Sequence, residues 1–94
     1  MKKSDLIHIL NIALVYVECC NEYSDDYLEE ESNYRSLLEE LKNKEVEDLS
    51  VYDIEVMIDA CQNAFVELDM NLNGEAEEEI DEIMIIKNKL ENLL

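Results

Sequence analysis

The residues of this chain that could do chemistry are one histidine, His8, three cysteines, Cys19, Cys20 and Cys61, and 25 acids. Nucleophilic catalysis needs the nucleophile within hydrogen-bond reach of its base. His8 and Cys19 are eleven positions apart. On one helix that is about 16 Å at 1.5 Å per residue, too far for a dyad. A lone histidine builds neither a triad nor a zinc spacing, and reads as a helix-face or partly buried residue. Carboxylate pairs suited to glycoside hydrolysis can be drawn from any acidic chain. A bundle of 94 residues leaves little room for a substrate cleft around them. No phosphate loop or nucleophile elbow is present. The odd cysteine count, with a vicinal pair that could hardly bridge to itself, does not describe a disulfide framework. The three thiols read as small apolar core residues in a reducing cytoplasm.

The sharpest local match is Asp69-Met-Asn71-Leu-Asn73-Gly74. It resembles the first six positions of an EF-hand calcium loop, D-x-[DN]-x-[DN]-G. It departs from that pattern at position twelve, where a bidentate carboxylate is required and Ile80 stands, and at position eight, which is Ala76. Glu79 is one residue short. The segment therefore reads as a helix-ending turn rich in Asn and Gly. Neither a metal nor a cofactor is expected.

The elements that carry these residues are helical. Pro is absent and Gly occurs once, so tight turns have little to work with. Ser4 reads as the N-cap of a first helix over roughly 5–22. Its stripe is Leu6, Ile9, Leu10, Ala13, Tyr16, Val17 and Cys20. Ile12, Leu14 and Val15 widen that stripe, which marks this helix as the most buried. The run Ile12–Val17 is also compatible with a strand, but no partner strand is visible. Ser24 reads as the cap of a second helix over about 25–43. Ser50 with Asp53 forms a capping box in outline for the third helix. The inner face of that helix is read as Ile54, Met57, Ile58, Cys61, Ala64, Phe65 and Leu68, with Asp53, Glu55, Asp59 and Glu67 off it. Gly74 separates it from a fourth helix over about 75–93, whose inward side is read as Ala76, Ile80, Ile83, Met84, Ile86, Leu90, Leu93 and Leu94. The expected fold is all-α: one domain, residues 1–94, forming a small antiparallel bundle of about four helices.

The net charge is −18, yet 48% of the chain is hydrophobic, so it folds against its own repulsion. Eight acids and no Lys or Arg lie between Ser4 and Tyr34, and fourteen acids and again none from Glu45 to Ile86. The densest runs are Asp25, Asp26, Glu29, Glu30, Glu31 and Glu75, Glu77, Glu78, Glu79, Asp81, Glu82. Helices ordinarily offset acids with bases one turn away. Here that happens only near Arg35, Lys44 and Lys87. Such a surface excludes direct nucleic-acid binding and disfavours anionic membranes. It also lacks a signal peptide and any run approaching the ~20 apolar residues of a membrane span. The bland reading is a solvated, solubilising exterior; the functional one is a negative surface that meets a positive partner.

Magnitudes favour a particular partner. B-DNA carries one charge per ~1.7 Å, so ~30 Å of duplex carries about 18, and a helix of twenty residues is also ~30 Å long. In size, helix content and acid clustering the chain resembles the small acidic DNA-mimic inhibitors that phages direct against restriction and CRISPR enzymes. It is also similar in character to the acidic immunity proteins that neutralise nuclease toxins. The resemblance implies a non-catalytic, cytoplasmic protein that blocks the basic surface of a nuclease or other nucleic-acid-binding protein. The two acid runs are then its contact residues, with Tyr23, Tyr27 and Tyr34 as anchors or core. A helical homodimer with incidental acidity is the rival expectation. An enzyme is not expected.

Overall fold

The computed structural model describes the backbone of residues 1–72 and 76–94, and the side chains of 1–70 and 76–94. Of the calcium-type turn at 69–74, residues 69–72 belong to the end of the third helix, and 73–74 lie outside these described residues, as does Glu75. Among the described residues there are four α-helices and no strand: α1 Lys3–Asn21, α2 Leu28–Leu41, α3 Val51–Leu72 and α4 Glu77–Asn92. A 3-10 turn, Val46–Asp48, sits between α2 and α3.

Successive helices fold back on one another. Asn21 at the end of α1 bonds Glu31 in the first turn of α2, and Lys3 at the start of α1 pairs with Glu45 just beyond α2. Lys44 reaches Asp53 in the first turn of α3. The last residues of α4 and its tail, Glu91 and Leu94, line a groove with Glu55 and Ile58 of α3. The all-α antiparallel bundle read from the sequence is what the chain forms.

The core is one cluster. α1 contributes Leu6, Ile9, Leu10, Ala13, Leu14 and Val17, and α2 contributes Tyr34, Leu37 and Leu41. α3 contributes Ile54, Val56, Met57, Ala60, Cys61, Ala64 and Leu68, and Ala76, Ile83 and Leu90 come from the α4 segment. α3, not α1, is the central helix: it packs closely against α1 and α4 as well as α2, and it carries more buried residues than α1. Its buried stripe is accordingly wider than a single-faced helix needs: Val56 and Ala60 are inside, while Ile58 and Phe65 are only half-buried. Val15 and Cys19 lie on the outer face of α1, and the Ile12–Val17 run is helical. Leu93 and Leu94 are exposed at the end of α4 rather than inward.

Of the three serine caps, one forms. Ser50 Oγ accepts the Asp53 N–H at 3.1 Å, and Asp53 Oδ2 accepts the Ser50 N–H at 3.2 Å. That reciprocal bonding takes Asp53 into the interior, where it is the buried charged residue among the described ones. Ser4 lies inside α1, whose N-cap is Lys2. Ser24 instead accepts the Asp26 N–H at 3.4 Å in the preceding turn, and α2 starts after Tyr27. Asn21 does the tying there, accepting the Tyr27 N–H at 3.0 Å. No helix among the described residues is long and apolar enough to cross a membrane.

Candidate functional site

The two acid runs occupy equivalent places, at the starts of α2 and α4. Glu29, Glu30 and Glu31 form the first turn of α2, preceded by Asp25 and Asp26; Glu77, Glu78 and Glu79 form the first turn of α4, followed by Asp81 and Glu82. Unpaired backbone N–H groups at a helix start favour negative charge, so these runs are locally stabilised although they repel one another. Asp25, Asp26, Glu29, Glu77, Glu78, Asp81 and Glu82 are exposed. Among the described residues none of them pairs with Lys, Arg or His.

Of the remaining described members, Glu31 and Glu79 are engaged, and Glu30 is half-buried with its Oε2 unpaired. Glu31 accepts from Arg35 Nε at 3.4 Å, and the same guanidinium reaches Glu18 at 2.6 Å. Glu79 Oε1 lies 2.5 Å from His8 Nε2, which gives the lone histidine a carboxylate partner that the sequence had not supplied. Four of the six lysines are held at short range too: Lys3 by Glu45, Lys42 by Glu39, Lys44 by Glu40 and Asp53, and Lys87 by Glu91. Most of the positive charges are thus paired away from the seven exposed acids at the starts of α2 and α4.

The tyrosines separate into three situations. Tyr34 is fully buried, Tyr27 packs edge-on against Tyr16 with ring centroids 5.7 Å apart, and Tyr23 is 85% exposed beside Asp25 and Asp26. Of the three read as anchors or core, only Tyr23 is exposed; Tyr52, also exposed, donates to Asn33 Oδ1 at 3.1 Å. Hydrogen bonding to Tyr27, with burial second, pushes the Tyr16 hydroxyl up to about 12.

Reading along the chain missed a feature that runs across it. α2 and α3 flank a cavity of about 230 Å³ lined by Glu29, Glu30, Tyr34, Glu55, Val56 and Asp59. Beneath it the Tyr34 hydroxyl donates to Asp59 and accepts from Asn63 Nδ2 at 2.7 Å. On the other side of α3 an open groove of about 410 Å³, with Ile58 and Leu94 among its lining, shares Glu55 and Asp59. The only advance signal was the Glu55/Asp59 pair one turn apart without a neighbouring base. Its proximity to Glu29 and Glu30 is tertiary.

The cysteines divide as well: Cys61 is buried, Cys20 half-buried and Cys19 exposed, and none is bridged. Burial pushes the Cys61 thiol up to about 12, which leaves it protonated and inert. Among the described residues no group of three or more His, Cys, Asp and Glu is disposed to hold a metal ion. Compared with family models, curated proteins and solved structures, the chain matches none.

Proposed function

We propose that this chain is a non-catalytic acidic binding protein that blocks a basic, nucleic-acid-binding surface on a target protein, in the manner of a DNA mimic or nuclease inhibitor. The observation that carries this reading is the set of seven exposed carboxylates without a cationic partner at the starts of α2 and α4. An ordinary surface intersperses charges of both signs. Here like-charge repulsion is offset only in part by the helix starts and by no cationic side chain, which is the arrangement expected where a partner supplies the counter-charge. Carboxylates would meet its Arg and Lys in charge-assisted hydrogen bonds, and long-range attraction would speed encounter.

The test is capture of target from a host lysate on the immobilised chain, followed by elution with rising salt and with duplex DNA. Under this reading, DNA displaces the bound protein and salt weakens the complex steeply. Replacing Glu77, Glu78, Asp81 and Glu82 by Gln and Asn, or Asp25, Asp26, Glu29 and Glu30 likewise, leaves a folded protein. At least one of the two sets binds at least tenfold more weakly. A bound protein indifferent to DNA removes the mimicry, and indifference to both sets removes the electrostatic basis.

A second reading has its own observation. Val51, Tyr52, Ile85, Leu93 and Leu94 are each more than half exposed. Apolar surface of this kind favours a helical homodimer, which sedimentation across a concentration series would reveal.

A further inference from the structure

We infer that the contact between His8 and Glu79 is a proton-operated clasp, which ties the start of α4 to α1 when the imidazole is charged and slackens when it is neutral. The clasp acts whatever partner the acidic surface meets.

Its place in the bundle gives the contact this role. α1 packs closely against α2 and α3, and α4 against α3, but α1 and α4 meet only loosely. Across that seam His8 Nε2 lies 2.5 Å from Glu79 Oε1, in the first turn of α4. Among the described residues no other hydrogen bond or ion pair joins the two helices. The pair lines a gap of about 30 Å³ together with Ile9 of α1 and Ile83 and Ile86 of α4. Parting the seam wets these isoleucines, so the clasp holds apolar burial in place as well as charge.

The charges around the imidazole decide the sign. Asp5, one turn back on α1, and Glu79 and Glu82 on α4 line the same gap, to which α2 and α3 contribute no residue. Lys3, the cation of α1, is held by Glu45. A neutral imidazole can give Glu79 one N–H and leaves the three carboxylates repelling one another. An imidazolium keeps that bond and adds a charge that all three attract. Histidine is the side chain whose ordinary titration, at about pH 6.5, falls in this range. The added hold is present while His8 carries its proton and is lost as pH rises through the titration of the ring. Because both side chains reach solvent, the gain is that of a screened pair and shrinks with salt.

Melting temperatures of the full-length chain at pH 5.5 and pH 7.5, in low salt, test the clasp. His8→Gln keeps an N–H for Glu79 but takes up no proton; Glu79→Gln keeps an acceptor but no charge. The rise in Tm from pH 7.5 to pH 5.5 should be smaller in each variant than in the parent, by at least about 2 °C. Glu47→Gln removes an exposed acid from the 3-10 turn, far from α4 in sequence, and should leave the rise within about 1 °C of the parent's. Hydrogen exchange, corrected for its intrinsic pH dependence, should locate the effect. Protection at 83–86 should gain at least twofold more than protection at 37–41 on going to pH 5.5, and His8→Gln should abolish the excess. A rise in His8→Gln equal to the parent's, a loss in Glu47→Gln as large as in Glu79→Gln, or protection gained evenly over both segments overturns the clasp.

Discussion

The Tyr34 hydroxyl, without solvent-accessible surface, donates its proton to the carboxylate of Asp59, joining the middle of α2 to the middle of α3. Asn63, one turn further along α3, donates to the Tyr34 hydroxyl oxygen. Removing the hydroxyl leaves two half-buried polar partners unmatched. Tyr34→Phe should therefore destabilise the fold by about 1–3 kcal/mol, read from urea unfolding at pH 7. Asp59→Asn, which can still accept from the phenol, should cost less. Equal stability of Tyr34→Phe and the parent would show that the network contributes nothing.

The serine caps give a graded set. Ser50→Ala removes an observed reciprocal cap and should cost about 1 kcal/mol. Ser4→Ala, inside α1, should stay within about 0.5 kcal/mol of the parent. Thermal unfolding of both variants checks the ordering.

The pH response has two signs. Sharing a hydrogen bond with Asp53 raises the pKa of Glu40, with burial adding to it. A raised carboxylate holds its proton more tightly when folded, so stability grows as pH falls through its titration. Burial alone would raise Asp53, but the Ser50 backbone N–H, the bond shared with Glu40, the Ser50 side chain and Lys44 together hold it below its ordinary range. Stability from that group is present above its unfolded pKa and is lost as pH falls through the folded one. Self-repulsion of a chain of net charge −18 opposes the compact state and is weakened by salt. The melting temperature should be higher near pH 5 than at pH 7 in low salt, rise with ~0.2 M salt at pH 7, and drop below about pH 3.5. A melting temperature falling steadily from pH 7 to pH 5 would contradict this.

Thiol labelling should count the burial pattern. A thiol-reactive dye at pH 8 should modify Cys19 quickly and Cys20 more slowly, with Cys61 labelled only after unfolding. Three fast thiols in the native protein would place Cys61 outside the core.

Helix number and type were legible in the sequence because periodic apolar spacing and the lack of Pro allow little else. Boundaries were less so. Ser4, Ser24 and Ser50 have the same capping chemistry, and only Ser50 has an acid three residues on that returns the bond to it. The ranking of α1 over α3 failed because chain-wise hydrophobicity does not reveal how much of a helix its neighbours cover. Val15 is apolar and outside; Asp53 is charged and inside. The acid runs were visible as runs. The confrontation of Glu30 with Asp59, 29 positions apart, depends on how α2 lies on α3, which spacing does not encode.

The central position of α3 has a consequence for synthesis. A ribosome releases the chain from its amino end at roughly 5–20 residues per second. α1 and α2 emerge first, and until α3 follows their apolar stripes have no third wall to close against. A nascent chain stopped short of Asp59 carries the acids of α2 but not the opposite side of the cavity. Such a fragment holds like charges together without the core that offsets their repulsion, so premature termination yields an open acidic peptide rather than a smaller folded bundle.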